Sequence, residues 1–66
     1  MKRRQVQVRL VKSVGWEAEV LEVEYQNGAL YHYFDVPEEV YIKSLLGNVD
    51  KKIRRIGQSH TFRKMN

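Results

Sequence analysis

The chain has 66 residues, no cysteine and a formal net charge of +4 at pH 7, which leaves room for one domain, residues 1–66, and excludes disulfides and thiolate zinc sites. No apolar run approaches the roughly 20 residues that a membrane-spanning helix needs, and the basic start is not followed by an apolar signal-peptide core. We therefore expect a soluble, unprocessed cytoplasmic protein.

Charge is distributed in three blocks along the chain. Residues 1–12 carry five basic residues and no acid, residues 13–42 carry seven acids and no lysine or arginine, and residues 43–66 carry seven basic residues and one acid. The blocks predict a basic N-terminal arm over residues 1–5 and a basic C-terminal segment over residues 51–66. Either the basic ends fold back onto the acidic middle, or they form a face that suits phosphates.

Two strands are predicted in the first part of the chain. The segment QVQVRLV, residues 5–11, alternates between apolar and polar residues with period two, which is typical of a strand with one buried face. KSVG, residues 12–15, is expected to form a turn. The segment EAEVLEVEY, residues 17–25, alternates again and predicts the second strand.

A hairpin is predicted to join the second strand to a third. Asn27 and Gly28 form the strongest short hairpin signal because both residues tolerate a positive φ at little cost. ALYHYFDV, residues 29–36, is the third strand. If the turn has two residues, Tyr31 and Tyr33 stand on the outer face of the sheet, beside the glutamates of the second strand.

A second register is possible at the same hairpin. It has a three-residue QNG loop with Gly28 in a left-handed bulge. Val23 then faces Tyr31, and Leu21 faces Tyr33. We favour this register because it gives a more apolar face and makes the two tyrosines walls of the core.

A helix is predicted after the third strand. Pro37 suits the first helical position, and Glu38 and Glu39 suit the positive end of the helix dipole. Apolar residues then recur at helical spacing for about ten residues, until Gly47 offers a left-handed cap.

The basic segment that follows predicts a short strand or turn around Ile53 and Ile56, then a final strand or loose tail over residues 61–65. The predicted fold class is therefore α+β: a small antiparallel β-meander of three to four strands packed by one short α-helix.

No residue pattern specifies a reaction. Nucleophilic catalysis needs a base within hydrogen-bond reach of a hydroxyl, and the adjacent Ser59 and His60 would point to opposite sides of a strand. The glycines are isolated, which excludes a phosphate loop, and the two histidines match no metal-ligand spacing. We expect no enzymatic activity, no catalytic residue, no metal site and no cofactor.

The middle of the sequence resembles a known family. VLEVEYQNGALYHYFDVPEEVY, residues 20–41, is similar to the KTSC domain, in which a hydrophobic strand, a turn glycine, a Tyr-x-Tyr and a Val-Pro helix start follow one another. SVGWE, residues 13–17, resembles its Ser…Gly-Tyr-Asp element with two substitutions, and Ile53-Arg54 resembles its Ile-Arg pair. The family is a short module found after some lysyl-tRNA synthetases and alone in small bacterial and phage proteins. The resemblance implies RNA binding and assigns no catalysis.

Two functional hypotheses follow for a small non-enzymatic binding module. The first is binding of single-stranded RNA, which needs a basic track for the backbone and aromatic faces for the bases. The candidate phosphate-binding residues are Lys51, Lys52, Arg54, Arg55, Arg63 and Lys64. The candidate stacking residues are Tyr31 and Tyr33, with Trp16 or Phe62 as further platforms.

The alternative is association with a protein partner or with a second copy, because a tiny sheet with an edge strand and oppositely charged segments can pair with another chain.

Overall fold

The computed structural model describes residues 2–66, which form one antiparallel sheet of five strands and two helices. The elements in chain order are β1 (Arg3–Gln5), β2 (Val11–Glu17), β3 (Val20–Tyr25), β4 (Leu30–Tyr33), α1 (Glu38–Ser44), α2 (Val49–Ser59) and β5 (Phe62–Lys64). The strands lie side by side in the order β1-β2-β3-β4-β5, so the sheet is a meander that is completed after the helices. The α+β class is confirmed, with five strands and two helices. Among residues 2–66 no helix has the length and apolar character needed to cross a membrane.

The first two strands have different bounds from those predicted. The strand expected over residues 5–11 is wrong, because β1 ends at Gln5 and β2 begins at Val11. The turn expected over residues 12–15 is also wrong, because these residues lie inside β2. The chain turns between these two strands instead: Gln7 has a φ of 50°, in the left-handed region, and the backbone N–H of Val8 donates to the carbonyl of Val11 at 3.0 Å. The pairing of β2 with β3 also shifts between Val11 and Ser13.

The true turn between β2 and β3 carries no sequence signal. It contains Ala18 and Glu19, whose φ angles of 49° and 67° are both in the left-handed region. Tight hairpins with two such residues usually use Asn, Asp or Gly. A turn at Ala18 and Glu19 was therefore not predicted. The hairpin places Val14 opposite Val23 and therefore on the same face of the sheet.

The favoured register of the next hairpin is confirmed. Val23 pairs with Tyr31 and Leu21 pairs with Tyr33, and Gly28 adopts a φ of 91° in a three-residue loop. Tyr33 is 5% exposed and belongs to the core, whereas Tyr31 is half-buried.

The first helix follows the predicted proline. Pro37 caps α1 with a φ of −63° and an extended ψ, so the helix begins one residue later than expected. It ends at Ser44 and is shorter than the ten residues expected, although Gly47 does adopt the predicted left-handed φ, at 72°.

The second helix replaces the predicted basic strand or turn, which is wrong. Val49, Ile53 and Ile56 are the buried residues of α2, and their spacing of four and three residues is helical. Two pairs of basic residues stand between them and obscured the pattern. The side chain of Asn48 caps the helix by accepting a hydrogen bond from the backbone N–H of Lys51 at 3.1 Å. Of the final strand or loose tail predicted over residues 61–65, the strand is confirmed as β5.

The core lies on one face of the sheet, under the two helices. Trp16 fastens α1 to this core, because its indole N–H donates to the carbonyl of Val36 at 2.7 Å and its ring stacks on Tyr41 with centroids 6.3 Å apart. The buried apolar residues are Val11, Val14, Leu21, Val23, Tyr33, Val36, Val49, Ile53 and Ile56.

Candidate RNA-binding groove

A groove of about 490 Å³ lies between α2 and the face of the sheet formed by β3, β4 and β5. Aromatic side chains line it together with charged residues. The aromatic residues are Tyr25, Tyr31, Tyr33 and Phe62, and the charged residues are Asp50, Arg54 and Lys64.

The aromatic rings form one contiguous cluster. Tyr31 and Tyr33 stack with ring centroids 6.0 Å apart and planes 14° from parallel. Phe62 is tilted against both, at 5.8 and 5.9 Å, and Tyr25 meets Tyr31 edge-on at 5.6 Å. Phe62 is 54% exposed. The cluster therefore presents Phe62, together with part of Tyr31, to a ligand.

Strand pairing decides which basic residues reach the groove. In the β4–β5 ladder Phe62 pairs with Tyr33 and Lys64 pairs with Tyr31, so both lie on the groove side of the sheet. Arg63 pairs with His32 on the opposite side. Successive side chains of a strand point to opposite faces of the sheet, so Arg63 lies on the face opposite to Phe62 and Lys64.

Four of the eight predicted site residues come together in the groove, namely Tyr31, Tyr33, Arg54 and Lys64. The other four do not line it. Lys52 extends toward α1, where its ammonium group donates to the carbonyl of Lys43 at 3.1 Å. Lys51 and Arg55 are exposed elsewhere on α2, and Arg63 is exposed on the outer face. Trp16 packs against α1 and is not part of the groove.

Tyr25 and Asp50 are groove residues that sequence reasoning missed. The Asp50 carboxylate accepts hydrogen bonds from the backbone N–H of Leu10, at 3.2 and 3.3 Å, and of Val11, at 3.2 Å. It thereby ties the start of β2 to the first turn of α2. The available signal was its position as the single acid in a strongly basic segment. Its negative charge is partly compensated by these amide donors.

The acids of β3 lie on the far side of the sheet from the groove. Arg3 lies near Glu22 and Glu24, with nitrogen–oxygen distances of 3.6 and 3.8 Å. Ser13 donates to Glu24 at 2.9 Å, and a ring nitrogen of His32 lies 3.2 Å from Glu22. Arg3 thus neutralises part of the acidic middle. Within residues 2–66, Arg54 and Lys64 form no ion pair.

A pair of phenol hydroxyls lies in the groove. The hydroxyl oxygens of Tyr25 and Tyr33 are 2.5 Å apart and share one hydrogen bond. Burial raises the pKa of both groups above their ordinary value of 10.0, and the hydrogen bond with Tyr33 raises the pKa of Tyr25 further. The same bond acts in the lowering direction on the pKa of Tyr33, against the larger effect of burial. Both groups are therefore protonated at neutral pH.

The tyrosine pair predicts a loss of stability in alkaline solution. Above pH 10 the unfolded chain releases the two protons, whereas the folded chain retains them because both pKa values are raised. The unfolded state then binds fewer protons, so the free energy of unfolding falls by up to about 1.4 kcal/mol per pH unit for each group. Below pH 10 both states hold the protons, and the pair contributes no pH dependence. Urea unfolding at increasing pH measures the effect. Tyr25→Phe combined with Tyr33→Phe should lessen the loss, and an equally steep loss in that variant would contradict the assignment.

The Ser59 and His60 side chains are both engaged with backbone carbonyls. Ser59 donates its hydroxyl to the carbonyl of Arg55 at 3.2 Å, and a ring nitrogen of His60 lies 3.0 Å from the carbonyl oxygen of Phe34. The His60 contact fastens the end of α2 to the chain after β4, whereas the Ser59 contact lies within α2 itself.

Comparison with known proteins supports the resemblance seen in the sequence. The family model of the KTSC domain matches residues 9–47, more than half of the chain. A relative from Stutzerimonas stutzeri (strain A1501), described as an uncharacterized protein, is 46% identical over 48 residues, which is 70% of this chain and 66% of that protein. The chain thus spans slightly less than two thirds of the relative. The matched segment holds β2, β3, β4 and α1, whereas α2 and β5 lie outside it. By the extent of this match, the chain belongs to the KTSC domain family.

Proposed function

We propose that this protein is a non-enzymatic module that binds single-stranded RNA in the groove between α2 and β5. Bases stack on Phe62 and Tyr31, and phosphates bind Arg54 and Lys64. The observation that carries the proposal is the convergence, in one groove, of exposed aromatic surface and of basic side chains that have no ion pair within residues 2–66.

The exposed ring of Phe62 supports the stacking role. A phenylalanine with 54% of its surface in solvent contributes little to the core, yet it continues the stack formed by Tyr31 and Tyr33. Each base stacked on an aromatic ring contributes about 1–3 kcal/mol of affinity. Because every base has an aromatic face, this contribution does not depend strongly on sequence.

The arrangement of charge supports a polyanionic ligand. Glu22 and Glu24 lie across the sheet from the groove, where they pair with Arg3. Asp50 lies in the groove, but its carboxylate already accepts hydrogen bonds from backbone N–H groups. Arg54 and Lys64 are therefore able to hold phosphates without a competing carboxylate partner.

Salt-dependent titration of a fluorescently labelled single-stranded RNA tests the proposal. Two phosphate contacts from the groove contribute about −1.4 to the slope of log affinity against log salt, at about −0.7 per contact. The variant Arg54→Gln with Lys64→Gln should lose that part of the slope and bind at least about tenfold more weakly, since hydrogen bonds to charged groups contribute about 1.5–3 kcal/mol each. Absence of wild-type binding at low salt would refute the proposal.

A matched control removes the same charge outside the groove. Arg55→Gln with Arg63→Gln changes one residue of α2 and one residue of β5, each next in sequence to its groove counterpart. Only a small loss is expected, because neither side chain lines the groove. Equal weakening by the two double variants would mean that diffuse charge, and not the groove, binds the RNA.

Association with a second copy is the alternative function. Its support is a pair of exposed apolar residues, Ile42 in α1 at 51% and Leu46 just after α1 at 60%, together with the edge strands β1 and β5. Light scattering after size exclusion distinguishes the two functions. A monomer at all concentrations argues against self-association.

A further inference from the structure

We infer that the groove admits one unstacked nucleobase at a time, with its polar edge turned inward to accept a hydrogen bond from the Tyr25–Tyr33 hydroxyl pair. The inference rests on the proposed function and specifies what the groove recognises. It makes the ligand a strand whose base edges are free, and not a duplex.

The two hydroxyls carry two protons, but only one of these protons takes part in the hydrogen bond between them. One hydroxyl donates to the other, and within residues 2–66 neither oxygen has a second hydrogen-bond partner. The second proton is therefore without an acceptor from the described part of the chain. Both side chains line the groove, and Tyr33 is only 5% exposed. A ligand that enters the groove can supply the acceptor.

The chemistry of the pair selects the kind of ligand group. Burial raises the pKa of both phenols, so the pair remains protonated and offers a donor. Its partner must be an acceptor, and the carbonyl oxygens and ring nitrogens on the pairing edges of nucleobases are acceptors of this kind. The rings of Phe62 and Tyr31 stack on the face of the same base.

The helix packs closely on Tyr33 through a glycine, which has no side chain to cover the hydroxyl. Gly57 of α2 faces Tyr33 there, and a Cβ atom at this position would lie 3.2 Å from the ring and 3.7 Å from the hydroxyl oxygen. A glycine in the middle of a helix costs about 1 kcal/mol relative to alanine, but here it keeps side-chain atoms away from the hydroxyl.

The decisive variant replaces both hydroxyls at once. Either single change leaves one hydroxyl that can still donate, whereas Tyr25→Phe with Tyr33→Phe removes both donors and preserves both rings. Replacing both partners of a hydrogen bond by apolar groups of the same shape is nearly neutral for stability. Affinity for a labelled oligouridylate should fall about threefold to tenfold, the range expected for one lost hydrogen bond.

Two controls isolate the contact with the base. The same RNA backbone with abasic sites should bind the double variant and the wild type equally. Tyr41→Phe, which changes a tyrosine that packs on Trp16 away from the groove, should leave affinity for oligouridylate unchanged. A double variant that binds oligouridylate as tightly as wild type would overturn the inference. If Arg54→Gln with Lys64→Gln still weakens binding in that case, the proposed function stands and only the inference fails. If that variant also binds as tightly as wild type, the proposed function and the inference both fail.

A measurement on the wild-type protein avoids any dependence on how the variant folds. In NMR titrations, uridine monophosphate should shift the ring resonances of Tyr25 and Tyr33. Ribose 5-phosphate, which has the sugar and phosphate without the base, should leave those rings unchanged and shift only signals of Arg54 and Lys64. Identical shift patterns for the two probes would show that no base enters the groove, and would overturn the inference.

Discussion

Tyr33→Ala is expected to leave the domain largely unfolded. Tyr33 is 5% exposed and belongs to the core, and truncating a buried aromatic side chain costs about 3–5 kcal/mol. The core of a chain below about 70 residues rarely supplies more than about 3–5 kcal/mol of stability, so the loss takes most of it. Far-UV circular dichroism with urea unfolding measures the outcome.

Two matched variants separate this effect from the loss of an aromatic ring in general. Tyr33→Phe keeps the ring and should remain folded. Phe62→Ala removes a ring from the same cluster, but one that is 54% exposed, so it should cost much less stability while weakening RNA binding. A Tyr33→Ala protein with the wild-type urea midpoint would show that the ring is not needed in the core.

Asp50→Ala should weaken the fold and strengthen RNA binding by the molecules that remain folded. The change removes the acceptor for the backbone N–H groups of Leu10 and Val11, and hydrogen bonds to a charged group contribute about 1.5–3 kcal/mol. Val11 is 1% exposed, so its backbone N–H would remain buried without its hydrogen-bond acceptor. Removing a negative charge from the groove reduces repulsion of phosphates. Urea unfolding and RNA titration measure the two effects.

Glu39→Ala provides the control for net charge. Glu39 is exposed in the first turn of α1 and does not line the groove, so the variant gains the same unit of charge without losing the backbone contacts. Its stability should stay close to wild type, and its affinity should rise less than that of Asp50→Ala. Equal effects of the two variants on stability would contradict the role of Asp50 as a link between β2 and α2.

The opposite directions predicted for Asp50→Ala reflect two roles at one position. The carboxylate holds the loop before β2 against α2, and the same group lies in the groove with Arg54 and Lys64. Asp50 therefore stabilises the fold at some cost in phosphate affinity.

Short-range features of the sequence determined much of the sheet. The QNG loop needs a left-handed glycine at Gly28, and this requirement sets the register that turns Tyr31 and Tyr33 toward the helices. Pro37 marked the start of α1 within one residue. The α+β class and the KTSC resemblance followed from the same segment, because alternation, turn conformation and a proline act over a few residues and are visible in them.

Only the tertiary structure decided how the site is assembled. β5 pairs with β4 after two intervening helices, and this long-range pairing, which no local pattern encodes, places Phe62 and Lys64 in the groove and Arg63 outside it. The helical nature of α2 depends on burying Ile53 and Ile56 against the sheet, since most helical stability in proteins comes from packing and not from intrinsic propensity. A groove made by two elements that are distant along the chain exists only once both have packed on the same face.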